Sequence, residues 1–552
     1  MGLSPIDLVA CVVFVVFVVG FSMWASRRER TARGYFLAGR GLGWPLIGLS
    51  LIATNISTEH FIGMVGQAYG PVGLAVASWE WVAVIAMVLV AWLLLPRFLR
   101  SGIYTMPEFL QHRYDADTRA VMAAFMVVLY VVTALASVLY SGALFFSETL
   151  GLPALVGARL HLDPAAAERL AFGLSVWLIG LLTAVYTVYG GLKAVVYSDL
   201  IQGLALLAGG AFVMVLCLRA LGDGSVAAGW ASMLAANAPK MHMFRPAGDA
   251  DLPWPTLLTG IWVPVTFYWG LNQFITQRTL AARSLATGQL GIFFAAALKL
   301  VLPLIIVMPG IAAAQLFGPQ IGPSGDKAYP YLLNHLLPVG VRGLILAAIG
   351  GAVMSALSGG LNSASTVFTL DLYKRWRPLS DDRRLVVVGR MATAAIVVLA
   401  CLWTPVIRSF RGVFNYIQEI WGFVSVPTFT VFLVGLCFPR VPPRAAKAAF
   451  ALGPALYAAL RAPTWFALAP ATERGAVVNA YLRFAGLHYL FHMVLTFAVL
   501  AAVMLAIGRV RPLSFARVLP DRGEVDTTPH PRQHLLGGLL IAATIALYVV
   551  FR

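Results

Sequence analysis

The stretch LIATNISTEHFIGMVGQAYG, residues 51–70, places Thr54, Asn55, Ser57, Thr58, Glu59 and His60 within seven positions of a strongly apolar chain. Backbone inside a bilayer has no water to satisfy its N–H and C=O groups. It stays unwound only where protein or an aqueous cavity supplies the missing hydrogen bonds. A helix broken at membrane depth therefore offers carbonyl oxygens to a cation and side chains to a polar solute.

The surroundings are membrane-like throughout. The 552 residues are 60% apolar and 11% charged, with a mean hydropathy of +0.83, far outside the soluble range. Apolar runs able to cross about 30 Å of hydrocarbon predict an all-α membrane protein of about fourteen transmembrane helices. They fall at roughly 5–25, 44–66, 72–97, 119–149, 170–190, 195–219, 255–277, 288–317, 343–372, 385–405, 413–436, 445–462, 480–507 and 533–551. The net charge of +17 is an orientation signal rather than a nucleic-acid footprint. About 25 of the 40 Lys and Arg lie in or beside SRRERTARGYFLAGRG, PRFLRSGIYTMPEFLQHRYD, YKRWRPLSDDRR, PRVPPRAAK and GRVRPLSFARVLPDRGE, alternate loops that mark the cytoplasmic side. An even number of crossings then puts both termini outside the cytoplasm, in a multi-pass protein of the cell membrane. Cys11, Cys217, Cys401 and Cys437 all lie in apolar spans, predicting neither disulfide nor metal site. The first span has its basic flank, SRRER, on the wrong side for a cleaved leader and reads as a retained helix.

A second crossing is interrupted at VTFYWGLNQFITQR, residues 265–278, five helices after the first. An odd offset reverses the crossing direction, which predicts two repeats of opposite topology, each opening with a broken helix, around a site near the midplane. The resulting divisions are 1–30, an extra helix; 40–222, the first repeat; 223–254, an external loop; 255–438, the second repeat; and 439–552, three peripheral helices. Isolated polar residues also serve as glue between membrane helices. Two dense clusters at matching positions point instead to a site.

Glu80 in VASWEWVAV and Lys299 in AAALKLVLP would each cost on the order of 3 kcal/mol facing lipid. They either pair with each other or share a polyhydroxylated solute. With the amides of Asn55 and Gln418 and the imidazole of His60 they offer the mixed donors and acceptors that hydroxyls need. Tyr268 and Trp269 offer an apolar face for a sugar ring, or simple packing.

The segments GLSLIATNISTEHFIGMVGQAYG, EWVAVIAMVLVAWLLLPRFLRSGIYTMPEFLQHRYD, YTVYGGLKAVVYSDLIQG, FYWGLNQFITQRTLAAR, DKAYPYLLNHLLPVGVRGLILAAIGGAVMSALSGGLNSAST and FNYIQEIWG resemble the sodium/solute symporter family, most of all its sodium/glucose and sodium/galactose cotransporters, from about residue 35 to 440. The resemblance implies a leucine-transporter-type inverted repeat of five plus five helices, with one helix before it and three after. It implies a sugar site at Asn55, His60, Glu80, Lys299 and Gln418, with Tyr268 stacking on the sugar as an inner gate and Trp269 extending that wall. Met64, Trp79 and Phe414 match the outer hydrophobic gate. Val265 stands where those carriers place a hydrogen-bonding Asn or Thr, which leaves the particular sugar open.

The same resemblance places a sodium site on the carbonyls of Ala53, Ile56 and Ala352 and the hydroxyl of Ser355. Where the family reads Ser-Ser, this chain has Ser355 followed by Ala356, so one oxygen is missing. Ser358 is a turn away and a poor substitute. A water in its place, weaker sodium binding or proton coupling are the three consequences. Asp199 matches an acid linked to cation passage; its other reading is a helix-end carboxylate solvated by the cytoplasm. Serines for a second sodium are not evident.

The expected function is sodium-coupled uptake of a monosaccharide, glucose or galactose-like, by alternating access. The alternatives are another solute of the family (inositol, sialic acid, amino acid) or proton coupling. The expected partners are sugar, sodium and the lipid bilayer, with no nucleic acid and no protein partner evident. An enzyme is not expected, since HExxH, GxSxG and paired Cys ligands are all missing, and a sensor would need an appended signalling domain.

Overall fold

The computed structural model describes residues 4–26, 32–409, 413–464 and 476–552. Among these the regular structure is helical, with only isolated bridges such as Leu42 to Ala282 outside it. Eleven helices are long and apolar enough to cross a bilayer. The two interrupted helices are not among them, because neither half is long enough alone. Pro443–Arg461, which carries Arg444, Lys447 and Arg461, also falls outside the eleven.

The first interruption is at the predicted place. Trp44–Asn55 ends where Ile56 turns extended (φ −78°, ψ 117°), and helix resumes as Glu59–Met64 and Val65–Tyr69. The gap is wired internally. The Ile56 N–H reaches the Ile52 carbonyl (2.9 Å) and the His60 N–H that of Ser57 (3.0 Å), while the Glu59 N–H donates to Ser57 Oγ (3.2 Å). The second interruption separates Trp262–Gly270 from Gln273–Leu280. There Asn272 caps the new half, accepting from the Phe274 N–H (3.1 Å), and Tyr130 donates to the same Asn272 oxygen (2.6 Å). Backbone carbonyls and polar side chains together thus satisfy the interrupted ladder at the first break, and the Asn272 and Tyr130 side chains do so at the second.

Around these breaks lies Val341–Val367, almost wholly buried and rich in Gly, Ala and Ser, small residues that let helix backbones approach closely. The outer surface is apolar. Leu174, Leu178, Leu181 and Val185 line an exposed face of Pro164–Val185, as expected of side chains that meet lipid.

The structure differs from expectation in some boundaries. The helices expected at 170–190 and 195–219 are present as Pro164–Val185 and Gly191–Leu221, and between them the chain bends out of helical geometry at Gly191 (φ 58°, ψ −158°). A Cβ there would lie 2.6 Å from the Tyr35 carbonyl oxygen, so both backbone angle and space require glycine. The span expected at 480–507 divides into Ala476–Ala485 and Tyr489–Val510. The segment expected as a loop, 223–254, contains a helix, Val226–Ala236, capped by Ser225; the Ser-to-apolar transition is a helix start that its short length concealed.

Candidate solute and cation site

Between the two broken helices lies a cavity of about 130 Å³. All seven residues expected to meet solute line it: Asn55, His60, Glu80, Tyr268, Trp269, Lys299 and Gln418. Met64 and Trp79 line it too, whereas the Phe414 side chain lies outside the described residues.

Glu80 and Lys299 are both buried, and Lys299 Nζ stands 2.5 Å from Glu80 Oε2. They form an ion pair and line the cavity at once, so the two readings of these residues are not exclusive. Glu80 Oε1 lies 3.5 Å from His60 Nε2. His60 Nδ1 accepts the Ser57 N–H (3.3 Å), which leaves Nε2 as the nitrogen that carries hydrogen. Lys299 also sits over the Trp269 ring at 4.7 Å, so this ring holds the ammonium in place. Asn55 Nδ2 donates to the Tyr268 hydroxyl (3.3 Å), joining the two broken helices. Tyr268 meets Trp421 edge-on at 5.7 Å.

Beside the cavity is a second polar knot, centred on Asp199. This carboxylate is fully buried, which overturns the reading of it as a solvated helix end. Ser355 donates to its Oδ1 (2.5 Å), Thr54 to Oδ2 (3.1 Å), and Ser50 donates to it as well. Arg278 Nη2 lies 3.4 Å from Oδ2, and its Nε donates to Ser50 (2.9 Å). A buried charge must be paired or hydrogen-bonded, and here three helices meet to do both. The carbonyl-bearing Ala53, Ile56 and Ala352 are buried in the same helices. Ser355 and Thr54 keep oxygen lone pairs after giving their hydrogens to Asp199, whereas Ser50 also accepts from Arg278. Ala356 lines the cavity with no oxygen to offer, and Ser358 turns its hydroxyl to the Ser355 carbonyl (3.0 Å).

Further residues line the cavity without having been assigned a site role from sequence, among them Glu59, Ser137 and Trp421. Trp421 lies three positions beyond Gln418, on the same helical face, and that spacing was a usable signal. Glu59 was legible as a polar residue in the break. Ser137, inside an apolar run, gave no signal distinct from packing.

Two helices broken around a buried polar cavity, with the buried Asp199–Arg278 cluster beside it, are the arrangement of membrane carriers built on paired broken helices. The chain belongs to the sodium:solute symporter family, whose model matches residues 35–453. It is 39% identical over 471 residues to the sodium/glucose cotransporter of Vibrio parahaemolyticus, an alignment covering 81% of this chain and 83% of that one. It is 34% identical over 544 residues to the sodium/myo-inositol cotransporter 2 of Mus musculus, covering 91% and 76%. Its fold is that of a Na+-coupled sialic acid symporter solved in a substrate-bound outward-open state, with a TM-score of 0.74 at 20% identity over 93% of this chain and 100% of that one. The family and these relatives are transporters.

Proposed function

We propose that this chain couples the entry of one sodium ion to uptake of a monosaccharide by alternating access. The observation that carries the reading is the cavity itself, where the Glu80–Lys299 pair, His60, Asn55 and Gln418 combine acceptors and donors beside the aromatic wall of Tyr268 and Trp421. Neutral hydroxyls can donate to the carboxylate and accept from the ammonium without adding charge. The relatives named for glucose and for myo-inositol fit that chemistry, and both solutes are polyols.

In this reading Tyr268 is the inner gate, and Met64, Trp79 and Phe414 form the outer one. Sodium sits on the carbonyls of Ala53, Ile56 and Ala352 and the hydroxyl of Ser355, with Asp199 orienting that hydroxyl. The chain crosses the cell membrane fourteen times, counting the two broken helices and Pro443–Arg461, with both termini outside. Residues 40–222 and 255–438 are the inverted repeats, flanked by the helix of 1–30 and the three of 439–552. One charge entering against about 100 mV contributes roughly 2.3 kcal/mol, and a tenfold sodium gradient about 1.4 more. Together they sustain several hundredfold accumulation.

The test is uptake of labelled glucose, galactose, myo-inositol, sialic acid and amino acids into proteoliposomes, with sodium, potassium and proton gradients imposed separately. Sodium-driven accumulation of a neutral polyol supports the reading. Accumulation of an amino acid alone, or of a sugar under a proton gradient alone, overturns it.

A further inference from the structure

The cavity holds a second carboxyl group that no lysine or arginine among the described residues pairs with. Glu59 stands in the first turn after the break of the first broken helix, where the positive end of the helix dipole favours a carboxylate. Its side chain lines the cavity, and Oε1 accepts the Ser137 hydroxyl at 2.5 Å. Among the described residues no cation pairs with it. Lys299, the cavity's ammonium, is 2.5 Å from Glu80. Arg278 is committed to Asp199, Ser50 and the Phe274 carbonyl. The neighbouring His60 accepts a backbone N–H at Nδ1 and faces Glu80 through Nε2 at 3.5 Å. The Glu80 carboxylate is thus matched by Lys299, whereas the Glu59 carboxyl faces the solute with a hydroxyl, that of Ser137, as its hydrogen-bond partner.

We propose that Glu59 is a specificity-determining residue whose charge excludes carboxylated solutes from this cavity and leaves it to neutral and ammonium-bearing polyols, an assignment that rests on the sugar-carrier reading above. Discrimination of this kind needs a repulsive element as well as attractive contacts. A neutral hydroxyl donates to the free Glu59 oxygen, an ammonium pairs with it, and a carboxylate has neither option. Ser137 fixes the direction of the repulsion by holding Oε1, which leaves Oε2 for the solute. Inside an apolar shell such a repulsion is screened far less than at a surface.

The experiment uses the full chain in proteoliposomes with a sodium gradient and, as tracer, whichever neutral polyol of the panel is accumulated. A panel with no accumulated member fails before any competitor is added; it overturns the carrier reading and this assignment with it. With a tracer in hand, unlabelled glucuronate and glucosamine are titrated as competitors against the parent, Glu59→Gln and Glu59→Asp. In the parent, glucosamine should compete at least tenfold better than glucuronate. Glu59→Gln should narrow that ratio at least fivefold, while Glu59→Asp, which keeps the charge, should preserve it. Equal competition by the two probes in the parent overturns the assignment without any variant. A ratio that survives in Glu59→Gln overturns it as well. Ser137→Ala frees the carboxylate without removing its charge and should leave the ratio within about twofold; collapse of the ratio there would assign the discrimination to the serine instead.

Discussion

Lys299 Nζ lies 2.5 Å from Glu80 Oε2, a contact that joins Leu285–Ile306 to Ser78–Leu89 and places a cancelled charge pair in the cavity wall. Breaking a buried pair from one side leaves an uncompensated charge, a loss of roughly 3–5 kcal/mol, whereas replacing both partners with neutral groups is often close to neutral. Stability and transport can therefore be separated here.

Glu80→Ala and Lys299→Ala should each abolish sugar uptake and lower the yield of folded protein. The double variant Glu80→Gln with Lys299→Met should recover thermal stability in detergent yet remain without uptake. Transport by the double variant at the parent's apparent affinity would reduce the pair to a structural tie.

The Tyr268 ring spans the two broken helices, held by Asn55 at 3.3 Å and packed on Trp421. Tyr268→Phe loses one hydrogen bond, worth about 1 kcal/mol, and keeps the ring. It should retain measurable accumulation, whereas Tyr268→Ala should lose stacking and leak sugar outward. Efflux from preloaded vesicles reads the leak directly, and identical full activity in both variants would leave the ring as packing only.

The broken helices and the cavity residues were legible because the sequence concentrates what a bilayer penalises. Thr54 to His60 and Glu80 have no business in apolar helices unless a cavity receives them. The residues that stayed illegible obey ordinary helix rules. Ser137 is one of many serines that satisfy themselves on a preceding carbonyl, and only the fold brings its hydroxyl to Glu59. Likewise Asp199 reads as a helix-end acid until Arg278, distant in sequence, is folded against it. The bend between the helices expected at 170–190 and 195–219 was legible as a break in the apolar run, and the approach of Tyr35 shows why it falls on Gly191.

That bend gives a stability prediction independent of transport. Gly191→Ala must hold a side chain at φ 58° and ψ −158° with its Cβ 2.6 Å from the Tyr35 carbonyl oxygen. Backbone strain alone costs about 1–3 kcal/mol. Gly173→Ala, where a Cβ meets nothing within 4 Å, removes a helical glycine and should be neutral or slightly stabilising. A lower thermal midpoint for the first and none for the second is the expected pattern in detergent, and equal midpoints would contradict the local geometry.

The ion is the last question, and the Ser355–Asp199 contact at 2.5 Å sharpens it. Asp199 takes the hydroxyl hydrogen, which in the proposed sodium site leaves the Ser355 oxygen for the cation beside the carbonyls of Ala53, Ile56 and Ala352. The neighbouring Ala356 supplies no side-chain oxygen, which leaves the proposed shell at four protein oxygens, short of the roughly six of a hard cation's usual shell. Ala356→Ser should lower the sodium concentration for half-maximal sugar uptake by several fold, since a fifth oxygen would replace water. Ser355→Ala should raise that concentration or abolish coupling, and it also strips Asp199 of one of its three hydroxyl donors. Asp199→Asn provides the cross-check. An amide can still receive the hydroxyls but no longer balances Arg278, so sodium dependence should weaken even with Ser355 intact. All three are read by varying sodium alone at fixed pH. Uptake indifferent to sodium in the parent and in every variant, but driven by an imposed proton gradient, would remove the sodium assignment while leaving the solute cavity in place.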